Sequence, residues 1–352
     1  MTFARRPFGQ NYAWVIVAAT FVSLLAAAGL RAAPGVLMTP LHDAFGWPRS
    51  EISLAAAVGI FLYGLVGPFA AALMQTLGIK RTLLAGLVVM SASTALSLLM
   101  REPWQYVATW GVLSGVGSGA VASVLGAAVV NRWFVTNRGL VMGLLSASTA
   151  TGSLVFLPLM AALVERGGWR PVVLTVSLVC AGLAPLVALV MAERPSDLGL
   201  RPYGATQAVD TPPAGRAADS IRLAFSALFS AARRPAFWLL FGTFFVCGLT
   251  TNGLVGAHLI SFCSDRGLPI VAAAGRLAGM GVFDLIGTTA SGWLTDRLDP
   301  RKLLFVYYGL RGLSLVALPF SRFDAASLSV FAVFYGLDWI ATVPPTLRLA
   351  NE

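Results

Sequence analysis

Charge is what this sequence has least of. Asp, Glu, Lys and Arg make up 11% of its 352 residues, against about 25% in a soluble domain. With 57% hydrophobic residues and a mean hydropathy of +0.78, that scarcity excludes an ordinary soluble domain and fits a polytopic membrane protein. Histidine is down to His42 and His258, so no His-based metal site suggests itself. The three cysteines, Cys180, Cys247 and Cys263, fall in or beside apolar runs without metal-ligand or redox spacing. They read as small packing residues and imply no disulfide framework. H-E-x-x-H, G-x-S-x-G and paired-aspartate motifs are all missing, which argues against an intramembrane enzyme. Gly115-Val-Gly117 echoes a nucleotide-binding turn, but no strand precedes it and no cofactor is expected.

The charge that is present is lopsided, with 25 Lys+Arg against 15 Asp+Glu for a net +10. These basic residues sit in short loops between apolar runs, so they form no solvated face for a nucleic acid. Only two of them, Lys80 and Lys302, are lysines, and the bias to Arg and Ala points to a GC-rich bacterial source. The N-terminal MTFARRPFGQNYAW leads into a full-length span without a small-residue cleavage site, and reads as a cytoplasmic tail and first helix.

Long apolar runs dominate the rest. Windows able to cross about 30 Å of hydrocarbon fall at residues 12–39, 51–75, 82–100, 104–130, 139–164, 170–192, 235–263, 270–295, 302–320 and 326–347, which predicts ten spans. With the N-terminus inside, sixteen basic residues fall on the cytoplasmic side against seven on the outer side. That bias predicts an N-in topology in a cell membrane, with the lipid bilayer as surroundings. The longest polar break, with Pro195, Pro202, Pro212 and Pro213, divides the chain into a six-helix bundle (1–192), a cytoplasmic linker (193–234) and a four-helix bundle (235–352). In the second half of the linker Ile221, Phe225, Leu228 and Phe229 share one helical face, as in an interfacial helix or an ordinary solvated linker helix. Span four carries Gly111, Gly115, Gly119 and Ser123 at every fourth position, a small-residue stripe that lets another helix come close.

Two loops carry a motif. The run Gly292-Trp-Leu-Thr-Asp296-Arg297-Leu-Asp299-Pro-Arg301-Lys302 resembles the loop signature of the major facilitator superfamily, G-x-L-x-D-R-x-G-x-R-K, with Asp299 in place of the second Gly. A worn copy follows the second span, from Ala71 through Leu73, Gln75 and Gly78 to Lys80-Arg81, with Gln75 where the Asp belongs. Two copies after corresponding spans of two halves strengthen the resemblance. Phe45-Gly-Trp47-Pro-Arg49-Ser-Glu51, Asn131-Arg132-Trp133-Phe134, Gly168-Trp169-Arg170, Pro195-Ser-Asp197-Leu-Gly199 and Gly336-Leu-Asp338-Trp339 are similar to the bacterial monocarboxylate-porter branch.

The resemblance implies an all-α protein of two pseudo-symmetric helical bundles. It also implies a small organic anion carried with a proton by alternating access, and no obligate protein partner. By that pattern the second half should also have six spans; it has four, so the chain reads as lacking the last two of twelve. The alternatives are a facilitator or exporter of another small amphiphile, or a non-functional truncated remnant.

Candidate substrate or coupling residues are Arg31, Asn252, Asp284, Arg311 and Asp338. A carboxylate at midspan, as at Asp284, costs about 2.5–3.5 kcal/mol on insertion scales, so a partner or a task usually accompanies it. The branch carries an Arg four residues after that Asp, where this chain has Thr288, and a basic residue in the first span, matched by Arg31. Arg311 lies at a depth where it can meet Asp284 and Asp338, either as an anion site freed when Asp284 takes up a proton or as a static pair locking the bundle. Arg31 either lines the cavity or snorkels to the outer headgroups. Gly292, Asp296, Arg297, Arg301 and Lys302, with Arg138 as partner from the other half, are the candidate gate; the plain alternative is a topogenic basic loop.

Overall fold

The computed structural model describes residues 11–205, 217–295, 297–321, 323–339 and 341–351. Within them the chain is helical almost throughout, with no strand beyond a single bridge between Phe134 and Tyr203. In hydrocarbon every backbone N–H and C=O must find its partner inside the protein, and a helix does so within one segment.

The elements are α1 (Tyr12–Phe45), α2 (Arg49–Thr76), α3 (Ile79–Ser97), α4 (Pro103–Trp133), α5 (Arg138–Gly167), α6 (Trp169–Val190), α7 (Ala217–Ala232), α8 (Pro235–Ser264), α9 (Ile270–Thr295), α10 (Pro300–Ala317), α11 (Ala325–Leu337) and α12 (Val343–Asn351). Eight helices among the described residues are long and apolar enough to cross a membrane: α1 to α4, α6, and α8 to α10 with its short extension to Phe320. The fifth predicted window is α5, a helix of 30 residues.

The tenth predicted window is not one helix. α11 stops after 13 residues at Leu337, and a separate helix begins at Val343. Pro344 and Pro345 supply the physical reason. A proline is welcome at the start of a helix, but inside one it removes a donor and clashes with the preceding turn.

α4 and α8 are also irregular. Val107–Leu113 and Leu249–Gly256 are wound with wider, π-type turns, and α4 breaks once more at Val121.

The chain packs as two units. The first holds Met1–Arg31, Ser50–Thr149 and Arg170–Ser226; the second holds Ala32–Arg49, Ala150–Trp169 and Ala227–Glu352. In the first, the glycine stripe of α4 lies against α2. A Cβ on Gly115 would stand 2.9 Å from the Gly59 carbonyl oxygen, and one on Gly119 3.0 Å from that of Tyr63. On the other side of α4, Gly117 faces α3 at Gly86 and Met90. In the second unit the end of α1 packs on α8, so closely that a Cβ on Gly35 would meet the Gly256 carbonyl oxygen at 2.5 Å. Nearby, Arg49 grips Asp265 with both guanidinium nitrogens, one of them at 2.7 Å. α9 and α11 form the tightest helix pair of this unit, and the space at Gly287 is filled by the backbone of Leu337.

Large apolar side chains such as Phe305, Phe320, Leu189 and Leu99 point outward, as a lipid-facing surface requires.

Candidate functional site

The break between α11 and α12 leaves carbonyl groups without a next turn to donate N–H groups to them, and a buried cation sits among them. Arg311, on α10 and 2% exposed, donates from Nε to Asp338 Oδ2 at 2.7 Å. Its second arm reaches the carbonyl oxygens of Asp338 and, at 3.1 Å, Trp339. The remaining nitrogen meets Cys247 Sγ at 2.8 Å and Thr251 Oγ1 at 3.2 Å, both on α8. The Tyr308 and Tyr335 rings lie 5.7 and 5.8 Å from the guanidinium carbon. A guanidinium has five donors in a planar fork, and here the fork is shared between α8 and the break between α11 and α12. Half-helix ends with free carbonyls beside a charged group are the usual make-up of ion and substrate sites in membrane carriers.

Asp284 is buried on α9, and its Oδ1 accepts the Thr288 hydroxyl at 2.9 Å. Among the described residues the ion pair that Arg311 makes is with Asp338, one of the two carboxylates expected within its reach. A fixed turn of α9 brings Thr288 onto Asp284, so a neutral hydroxyl stands where the resembling branch carries its Arg.

Asn252 is exposed; its neighbour Thr251 is the one turned to Arg311. Thr251 follows Cys247 by four residues and so shares its face of α8, whereas Asn252 is one residue further round. Cys247 and Thr251 belong to the site although the sequence does not single them out. A Cys and a Thr in an apolar run carry no signal of their own, and only their four-residue spacing on one face hinted at a shared role.

Arg31 sits in the first unit. Its guanidinium lies 4.4 Å from the centre of the Tyr63 ring, at a small cleft lined also by Leu24, Met142, Leu145 and Ser146. A cation over a ring face in a partly desolvated cleft is held by the ring's quadrupole and remains able to attract an anion.

Arg138 donates to the Phe134 carbonyl at 2.7 Å, within its own turn, and Asp296 lies outside the described residues. Arg297 stacks on Trp293 at 3.7 Å, and Arg301 and Lys302 are exposed in the first turn of α10, while Gly292 has open space where a Cβ would be. Asp299, the departure from the motif, is the N-cap of α10: its carboxylate accepts the Arg301 N–H at 2.9 Å, with Pro300 next in the chain.

The earlier copy solves the same problem from a distance. Gly78 is at φ +101°, and Glu193 reaches across to accept the N–H groups of Ile79 at 2.6 Å and Lys80 at 3.0 Å while pairing with Arg132. A Cβ at Gly78 would lie 2.5 Å from that carboxylate, so the glycine makes room for it.

Among the described residues no group of three or more His, Cys, Asp and Glu is placed to hold a metal ion.

A polytopic helical protein with charged groups at a helix break and in a cleft between its helices belongs to the class of membrane transporters. The model of the Major Facilitator Superfamily matches residues 18–352, and the chain belongs to that family. It is 26% identical over 356 residues to an uncharacterised MFS-type transporter, YcxA, of Bacillus subtilis, covering 96% of this chain and 80% of that protein. It is 27% identical over 354 residues to monocarboxylate transporter 13 of Rattus norvegicus, covering 100% of this chain and 77% of the relative. Among solved structures, the partially occluded inward-open xylose transporter XylE of E. coli superposes with a TM-score of 0.68 at 13% identity, over 97% of this chain and 87% of the other. At that identity the likeness establishes the fold.

Proposed function

We propose that the protein is a secondary active transporter that moves a small organic anion of the monocarboxylate class together with a proton. It works by alternating access of two bundles, residues 1–192 and 235–352, joined by the linker 193–234. The proposed setting is a bacterial cell membrane with the N-terminus inside, and the protein does no covalent chemistry on its cargo. The carrying observation is Arg311, a buried guanidinium whose partners are an acid, two carbonyls, a thiol and a hydroxyl. A substrate carboxylate offers the same fork two better oxygens. The name of the rat relative supports the choice of cargo.

In this reading Arg31, above Tyr63, attracts the anion from the first unit. One carboxylate of the second unit, Asp284 or Asp338, takes the proton. The motif loop with Asp296, Arg297, Arg301, Lys302 and Arg138 acts on the access state.

The test is uptake into proteoliposomes holding the purified chain, with a panel of labelled organic acids, with and without an inward proton gradient. At least one acid should accumulate only with the gradient, and Arg311→Ala should cut that uptake by about a hundredfold, as loss of a buried charged contact commonly does. Undiminished uptake by Arg311→Ala would remove the anion site from this cluster. The mostly apolar lining of the Arg31 cleft favours a second reading, carriage of another small amphiphile, which the same assay detects with non-acidic members of the panel.

A further inference from the structure

We infer that the coupling proton is carried by Asp338, on its Oδ1 atom, rather than by Asp284. The inference rests on the symport reading above and deepens it. Asp338 is 6% exposed, and its two oxygens are unequally served. Oδ2 receives Arg311 Nε, whereas Oδ1 is buried and has no hydrogen-bond partner among the described residues. An ionised carboxylate accepts at both oxygens, and a buried oxygen with nothing donating to it is where a proton relieves the deficit. Asp284 is in the opposite position, since its Oδ1 already accepts from Thr288.

Arg311 is built to survive the change. If Asp338 is protonated, the guanidinium keeps the carbonyl oxygens of Asp338 and Trp339, Cys247 Sγ and Thr251 Oγ1. Around the pair stand Cys247 on α8, Tyr308 on α10 and Tyr335 on α11. The cation of α12, Arg348, is turned to the Thr295 carbonyl. None of these brings a second positive charge to Asp338.

The step balances simply. A proton from water forms an O–H bond at Asp338 Oδ1, so the carboxylate becomes a neutral acid and the pair with Arg311 goes from net zero to +1. A substrate carboxylate then returns the cluster to zero. On the other side the anion leaves and the O–H proton returns to water.

The experiment compares wild type, Asp338→Asn and Asp284→Asn in proteoliposomes, using two readouts. Counterflow exchanges labelled for unlabelled acid without net proton movement, while gradient-driven accumulation requires the proton. Asp338→Asn should lose at least about tenfold more in accumulation than in counterflow, within the range that linkage between two ligands ordinarily spans. In Asp284→Asn the two readouts should change by the same factor. Accumulation surviving in Asp338→Asn, or lost only in Asp284→Asn, overturns the assignment. Should Asp338→Asn not fold, infrared difference spectra between acid and neutral pH decide. A protonated-carboxyl band that persists in Asp284→Asn supports Asp338, and its disappearance there overturns it. A wild type that accumulates no acid under the gradient fails the symport reading itself; a wild type that does, beside an Asp338→Asn that also does, fails only this inference.

Discussion

Replacing Arg311 by Met would leave the Asp338 carboxylate and two carbonyl oxygens buried with no cation, and truncating one side of a buried pair costs about 3–5 kcal/mol. Thermal unfolding in detergent should show that loss as a large drop in midpoint. Lys at this position supplies a point charge in place of a planar fork, so Arg311→Lys should recover only part of it. Removing both charges in Arg311→Met with Asp338→Leu should bring stability most of the way back while uptake stays lost. That pattern separates a functional pair from a lock. Gly287 offers a second test at the same scale. A Cβ there would sit 1.8 Å from the Leu337 carbonyl oxygen, whereas one on Gly275 meets nothing within 4 Å. Gly287→Ala should cost about 1–3 kcal/mol or more as α9 and α11 are forced apart, and Gly275→Ala should be neutral or slightly stabilising in the same unfolding assay. The charged members of the site were legible because a charge inside an apolar run stands out. Their pairing was not, since Asp284 and Asp338 are both within reach of Arg311 in a depth argument, and only side-chain direction distinguishes them.

Helix starts show how two copies of one motif diverge. In α10 the cap is local, from Asp299; in α3 it is remote, from Glu193. An Asp cap replaced by Ala costs about 1 kcal/mol and by Gly only a few tenths. Asp299→Ala should therefore destabilise more than Asp299→Gly, the change that restores the family motif. Glu193→Ala should exceed both, by about 1–2 kcal/mol, because it also deprives Arg132 of its partner. Unfolding midpoints of the three variants rank them.

The long helices themselves were readable from apolar length alone, and the glycine stripe of α4 from its spacing. The break after Leu337 was not, because hydropathy averages over a window and registers Pro344 and Pro345 only weakly. The part of Thr251 was hidden for another reason: a lone hydroxyl in an apolar run draws less notice than the amide of Asn252, which lies exposed.

For the molecule as a whole, orientation is the property that basic residues set in advance. A cysteine introduced in the linker, at Ser196 for example, should react with an impermeant maleimide only in inverted vesicles, and one at Asp265 only in intact cells; the reverse would overturn the N-in topology. At the end of α8 the Asp265 carboxyl is held below the usual range by its hydrogen bond from Arg49. A lowered pKa means the stabilisation is present above the ordinary value of about 3.9 and lost as pH falls through the folded value. Both partners are more than a third exposed, so the contribution is small, roughly 0–1 kcal/mol. The gap in unfolding midpoint between wild type and Asp265→Asn should hold steady near neutrality and close in strong acid.

The remote cap on α3 also has a consequence for synthesis. Glu193 is made more than a hundred residues after Ile79, so during translation the first turn of α3 emerges without the acid that completes it. Its two N–H groups must stay with water or lipid headgroups until the sixth span has left the ribosome, while α10 carries its own acid and is finished as soon as it is made. Assembly of the two halves is thus ordered in time: the amino-terminal one closes late, when its own far end returns to it.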